Sequence, residues 1–194
     1  MKIDPQPPRL VTLRDGRQVT VRAVLASDAA EIVQAFERLS ADSRYTRFMV
    51  HKNRLNAAAL ERGLHPVPGR AFVFVATVPA SDGFDIVGAA QYVRANDNDD
   101  RTCEFAITVA DDWRGSGLAV HLLASLVRRS RRDGYGTMEG LVVAANRPML
   151  ALARKLRFKV APVSEDATVM KVVRQLTGAE RLRQPRPAHE ARQP

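Results

Sequence analysis

Gly115 and Gly117, one residue apart in the stretch WRGSGLA (113–119), stand at the mouth of a run whose apolar residues recur at helical spacing. Glycines there can take positive φ and leave backbone N–H groups bare, and the first N–H groups of the following helix also lack partners. Such donors converge on one point and suit an anion, above all a phosphate or pyrophosphate, with Arg114 as a neighbouring cation. The plain alternative is a strand-to-helix turn that holds nothing. A Walker-type phosphate loop is excluded because no Gly-Lys-Ser/Thr follows. A dinucleotide fingerprint fits poorly: Val120 holds the third glycine position, and ADDWR separates the turn from the strand before it.

A second residue with chemical capacity lies just upstream. In TCEFAITV (102–109) the alternation of a strand puts Cys103, Phe105 and Ile107 on one face and Glu104, Ala106 and Thr108 on the other. An acid there is costly unless paired, solvated or functional, and the bland role for Glu104 is a cross-strand ion pair. Cys103, the only cysteine, reads as a small buried hydrophobe. His51, His65, His121 and His189 show no metal-ligand spacing, so no metal is expected.

The elements that position these residues follow from pattern and punctuation. Asp15-Gly16 predicts a hairpin between LVTL and VTVRAV. Asp28 with Glu31 predicts a capping box opening a helix, and SADSRYTRFM and LNAAALERG predict two more, the last ending at Gly63. AFVFVATV, DIVGAAQYV and TCEFAITV read as an antiparallel meander joined by the polar turns PASDGF and RANDNDDR. After the glycine turn come a helix to about Asp133, the strand TMEGLVV, the short helix NRPMLALARKL, and the strands FKVAP and ATVMKVV. A mixed, mostly antiparallel sheet with helices on both faces is the expected α/β fold.

The 194 residues fit one domain over 1–175, followed by a flexible, basic, Pro-rich tail over 176–194. The net charge of +9 is partly local: the tail holds four arginines against two glutamates, and Arg128, Arg129, Arg131 and Arg132 crowd the end of the long helix, where cations suit the dipole. With no zinc-finger spacing and no aromatic platform, nucleic acid is not the expected main partner. No stretch has the length of a signal peptide core or a membrane span, so a cytoplasmic protein is expected, as a monomer or homodimer.

WRGSGLA is similar to the Arg/Gln-x-x-Gly-x-Gly/Ala signature of the GNAT superfamily of acyl-CoA-dependent N-acyltransferases, with Arg114, Gly117 and Ala119 in its slots. The likeness extends through GLVVAANRPMLALARKLRF and covers roughly residues 17–173. VTVRAVLASDAAEIVQAFERLSADSRYTRF resembles the opening of bacterial protein-lysine acetyltransferases of the acetyl-CoA-synthetase-modifying kind. The resemblance implies that Arg114, Gly115, Ser116, Gly117, Leu118 and Ala119 hold the pyrophosphate of acetyl-CoA. It further implies that Val109 and Ala110 pair with the pantetheine arm, that Asn146 supports the cofactor, and that Glu104 is the base that deprotonates an amine acceptor. Asn146 also reads as a helix N-cap, and the two roles are compatible. Many relatives carry a tyrosine and a glycine where this chain has Ala153 and Arg157, so no side-chain acid is assigned.

The acceptor remains open between a protein lysine and an anionic small molecule. Arg44, Arg47, Lys52 and Arg54 face only Asp42 in their segment, which disfavours cationic acceptors. A non-catalytic acyl-CoA sensor and a small-molecule amine acetyltransferase are the alternatives.

Overall fold

The computed structural model describes residues 7–176. Of the tail expected over 176–194, only Leu176 falls among them; it is buried, and its N–H donates to Gly136 O at 2.8 Å. Strands β1 (Arg9–Thr12) and β2 (Gln18–Ala23) form the first hairpin. Helices α1 (Ala29–Glu37), α2 (Ala41–Phe48) and α3 (Ala57–Leu64) follow, then the meander β3 (Ala71–Ala80), β4 (Gly83–Asn96) and β5 (Asp99–Val109). The chain closes with α4 (Leu118–Arg132), β6 (Thr137–Val143), α5 (Arg147–Lys155), β7 (Lys159–Val163) and β8 (Asp166–Gln175). The meander strands run on into both polar segments, leaving only tight turns at 81–82 and 97–98.

The strands form one sheet in the order β1-β2-β3-β4-β5-β6-β8-β7, antiparallel throughout except between β5 and β6. On one face α4 buries Leu118, Leu122, Leu123 and Leu126 completely, against a cluster that includes Phe74, Ala90 and Tyr92. Each such leucine contributes about 1.5–3 kcal/mol. On the other face Ile32 of α1 and Leu64 of α3 pack over Val24, Val73, Val75 and Ile86. The expected mixed sheet with helices on both faces is therefore the observed one.

Three local readings change. Asp28 makes no capping bond to α1. Its buried carboxylate accepts instead from both Arg22 Nη atoms, at 2.7 and 2.8 Å, and from the Leu25 N–H at 2.8 Å. A charged partner outcompetes a backbone cap for the same oxygens. Arg157 takes the left-handed conformation, φ +61°, that the missing glycine would have supplied. The turn after α5 survives, with the Phe158 N–H on Ala153 O at 2.9 Å. In the arginine cluster, Arg129 is buried: it donates to Asp133 at 2.7 Å and lies 4.1 Å over the Phe72 ring. Asp133 also accepts from the Tyr92 hydroxyl, so this arginine anchors the end of α4 rather than adding to the surface charge.

Candidate active site

The site is built on a break in the sheet. β5 and β6 pair only over Thr102↔Thr137, Cys103↔Met138 and Glu104↔Glu139. Beyond that, β5 continues on β4 alone and β6 on β8 alone. The Ala110 N–H donates to Val87 O at 2.9 Å, so the pair Gly88↔Val109 is of the kind whose own N–H and C=O groups point away from the partner strand. With a period of two, the same holds for Ile107 and Phe105. The pair Glu104↔Glu139 engages the Phe105 N–H in the β6 ladder, so it is the backbone groups of Ile107 and Val109 that face the gap, an open edge able to take an extended ligand as an added strand. Ala110 differs from Val109: its N–H serves Val87 and its carbonyl accepts from the Trp113 N–H at 2.9 Å.

The glycine turn closes the far end of this edge. Gly115 and Gly117 sit at φ +75° and +94°, and among the described residues the N–H groups of Gly115, Gly117 and Ala119 meet no acceptor. Ser116 gives the loop its shape. Its buried hydroxyl donates to Trp113 O at 2.7 Å and accepts the Leu118 N–H at 3.2 Å, while its carbonyl accepts the Arg14 N–H at 3.1 Å. Arg14, from the first hairpin, also donates to Gly115 O at 2.9 Å, a brace that no local pattern announces. Leu118 is fully buried and seats the helix, so the bare donors are rigidly backed. The donor set fits an anion of pyrophosphate type.

Arg114 is not turned to that point. It pairs with Asp111 at 2.8 Å and donates to the Ser43 hydroxyl. Asp111 in turn accepts from Ser43 Oγ and from the Ser40 N–H at 2.8 Å, tying the start of α2 to the loop. Burial alone would raise the Asp111 pKa, but the bonds from Ser43 and Ser40 outweigh it and hold the carboxyl below its ordinary value.

Glu104 lies at the opposite end, the last residue of β5 to pair with β6, and its side chain is exposed. None of the ion pairs among the described residues includes it. Glu139, paired with Lys171 at 2.9 Å, lies opposite it on β6, and on the α2 side stands Arg47, whose guanidinium is pulled down by burial and pushed back by the Glu104 charge. Arg47 lines a cavity of about 30 Å³ with Gln91, Ala106 and Thr108, on the Glu104 face of β5. The sequence offers Arg47 only as one of four basic residues in its segment, and the cavity not at all, because α2 and β5 meet only in the fold.

Asn146 follows the end of β6; its Oδ1 accepts the Met149 N–H at 3.1 Å, capping α5, and among the described residues its amide nitrogen meets no acceptor. Cys103 is buried on the α4 face, and burial pushes its thiol up to about 12, which leaves it inert as a nucleophile. Tyr135 is buried with its hydroxyl on Gly69 O at 2.8 Å, and Ala153 is buried in α5. His121 is partly buried, and burial followed by Arg9 and Arg128 lowers its pKa.

The family described as Acetyltransferase (GNAT) domain matches residues 18–159. The chain belongs to the GNAT acetyltransferase family. Within that family, an acetyltransferase of Pseudomonas aeruginosa is 31% identical over 157 residues, 81% of this chain and 83% of that protein. The L-methionine sulfoximine/L-methionine sulfone acetyltransferase of Pseudomonas paraeruginosa matches locally, at 37% over 60 residues, 31% of this chain and 35% of that one. The GNAT domain of S. lividans PAT superposes with a TM-score of 0.79 at 24% identity, covering 87% of this chain and 96% of that one. A putative acetyltransferase, yncA, from Salmonella typhimurium, solved with its cofactor acetyl-CoA, superposes at 0.66 with 20% identity over 88% of this chain and 99% of that one. The mixed, largely antiparallel sheet flanked by helices is thus that of a GNAT acetyltransferase. Among the described residues no helix is long and apolar enough to cross a membrane.

Proposed function

We propose that this GNAT protein moves the acetyl group of acetyl-CoA onto a primary amine, with Glu104 as general base. The observation that carries the reading is the open edge of β5, which runs from Glu104 to the bare N–H groups of the glycine turn. When bound, acetyl-CoA supplies an activated thioester. Gly115, Gly117 and Ala119 hold its pyrophosphate through their N–H groups, with Ser116 and Leu118 fixing their directions. Val109 and Ile107 pair with the pantetheine arm through their gap-facing groups, and the free amide nitrogen of Asn146 supports it from the β6 side.

The position of the base sets where the chemistry occurs. Five residues of strand separate Glu104 from Val109, about 17 Å, which is too far for a proton transfer centred on Val109. Ile107 is three residues away, about 10 Å along the strand, with its N–H also in the gap. The Ile107 N–H therefore donates to the thioester oxygen as charge builds there, while Glu104 takes the ammonium proton directly or through water. The leaving thiolate needs no side-chain acid, because thiols are only weakly basic.

Two acceptor classes are compatible with the site. The resemblance of residues 19–48 to bacterial lysine acetyltransferases supports a protein lysine, and the local relative named for L-methionine sulfoximine supports an amino-acid-like amine. A second reading, acyl-CoA binding without transfer, is favoured by Ala153, which occupies the slot where many relatives carry a tyrosine. Release of free thiol from acetyl-CoA on adding an amine decides between them. Amine-dependent release supports transfer, and acetyl-CoA binding with no release under any amine establishes the sensor.

A further inference from the structure

We propose that the acceptor is a zwitterion of the amino-acid type, whose carboxylate sits on Arg47 and whose amine faces Glu104. This rests on the acetyl-transfer reading and adds the class of acceptor to it.

Four cations were candidates for recognising an anion on this side of the sheet, and the fold separates them. Arg44 is turned to α1, donating to Glu37 O at 2.9 Å and lying 4.8 Å over the Phe36 ring. Lys52 and Arg47 both lie over the Phe48 ring, at 4.8 and 4.7 Å, and Arg54 is exposed. Arg47 is the one of the four that lines the cavity.

The cavity has the size of a small anion. At about 30 Å³ it has room for two or three water-sized groups, enough to seat the two oxygens of a carboxylate. Gln91 and Thr108 add polar groups beside Arg47, and Ala89 and Ala106 supply apolar walls. A guanidinium fork matches a carboxylate with two parallel donors, which gives orientation as well as attraction.

The second charge lies where the amine must go. Glu104, Ala106 and Thr108 share one face of β5, so Glu104 is one step of the pleat, about 7 Å, from the cavity wall. Arg47 and Glu104 do not form an ion pair with one another, yet the Glu104 charge is felt at the guanidinium. A cation and an anion held apart, both on the open side of one strand, complement a molecule that carries the opposite charges in the same order. A lysine side chain in a protein brings an amine with no carboxylate beside it. It would leave Arg47 partly desolvated and unpaired, a penalty that discriminates against it.

The test is steady-state thiol release from acetyl-CoA with each of the twenty common L-amino acids, its α-carboxamide, and a lysine peptide with blocked ends. At least one free amino acid is expected to be acetylated with a kcat/KM about 10- to 100-fold above that of its carboxamide. Arg47→Gln is expected to raise the KM for that acid by a similar factor and to bring the acid-to-carboxamide ratio of kcat/KM down toward one, while the calorimetric affinity for acetyl-CoA stays unchanged. A merely structural Arg47 would change acid and amide alike. Equal use of acid and carboxamide by the wild-type protein, preference for the lysine peptide, or acetyl-CoA binding with transfer to none of the acids overturns the proposal. Failure to bind acetyl-CoA in calorimetry overturns the acetyl-transfer reading itself, and so the two failures are told apart.

Discussion

Gly140 leaves open the space that the ring of Phe105 fills: a Cβ on Gly140 would stand 2.9 Å from the ring's Cε1. The ring is backed by Phe158, centroid to centroid 5.2 Å, and Phe105 and Gly140 each lie one step beyond Glu104↔Glu139, the last pair between β5 and β6. The phenylalanine is therefore packed where the two strands part, and the glycine on β6 is the reason it fits. Gly140→Ala is expected to lower stability by about 1–3 kcal/mol, read as a lower denaturation midpoint in urea, because neither ring can retreat. An unchanged midpoint would mean that the ring does not hold the strands in this arrangement.

Glu104→Gln removes the proposed base while keeping the shape of an exposed side chain at the start of the gap. Turnover is expected to fall about 10²- to 10⁴-fold with acetyl-CoA affinity unchanged, measured by thiol release and calorimetry on the same preparation. Retained turnover would assign Glu104 to the surface.

Arg157 stands in the left-handed region at φ +61°, a conformation that costs an L-residue about 1–2 kcal/mol. Arg157→Gly relieves this at the expense of a more flexible unfolded chain, about 0.4–1 kcal/mol. A small net stabilisation is expected, seen as a Tm higher by about 1–3 °C. A lower Tm would show that the Arg157 side chain makes a compensating interaction.

Asp28 carries an acid-sensitive contribution. Burial alone would raise its pKa, but the two bonds from Arg22 and the Leu25 N–H outweigh burial, and its carboxyl titrates below the ordinary value. With the folded pKa below an unfolded value of about 3.9, the stabilisation is complete above that pH and is lost as pH falls through the folded pKa. Urea midpoints for the wild type are expected to drop below about pH 4. Asp28→Asn is expected to lose about 1–3 kcal/mol at neutral pH, since the partly buried Arg22 loses its charged partner and keeps Ala23 O, and to show a flatter acid limb. Parallel acid limbs in the two proteins would place the sensitivity elsewhere.

The parts of the site legible in the sequence are those whose signal is local. Gly115, Gly117 and the leucines of α4 announce a bare turn on a packed helix, and the alternation in TCEFAITV assigns Glu104 and Cys103 to opposite faces, as the structure has them. What was illegible depends on groups distant in the chain. Ser43 and Asp111 are 68 residues apart, and the Arg114 side chain joins their contact. Asp28 was read as a cap because the pattern with Glu31 is local, whereas its stronger partner lies on β2. The end of pairing after Glu104 has no sequence signature either, because strand register depends on which residues of β6 lie opposite, and Gly140 is 36 positions past it.

The central claim is that the glycine turn and the open edge of β5 bind acetyl-CoA, and calorimetric titration of the wild type and of Gly117→Glu tests it most directly. The account predicts micromolar binding of acetyl-CoA by the wild type and none of NAD. It also predicts loss of acetyl-CoA binding in Gly117→Glu, where a carboxylate and a strained backbone at φ +94° replace a bare donor. Equal affinity of the two proteins for acetyl-CoA, or no binding by the wild type, would contradict it.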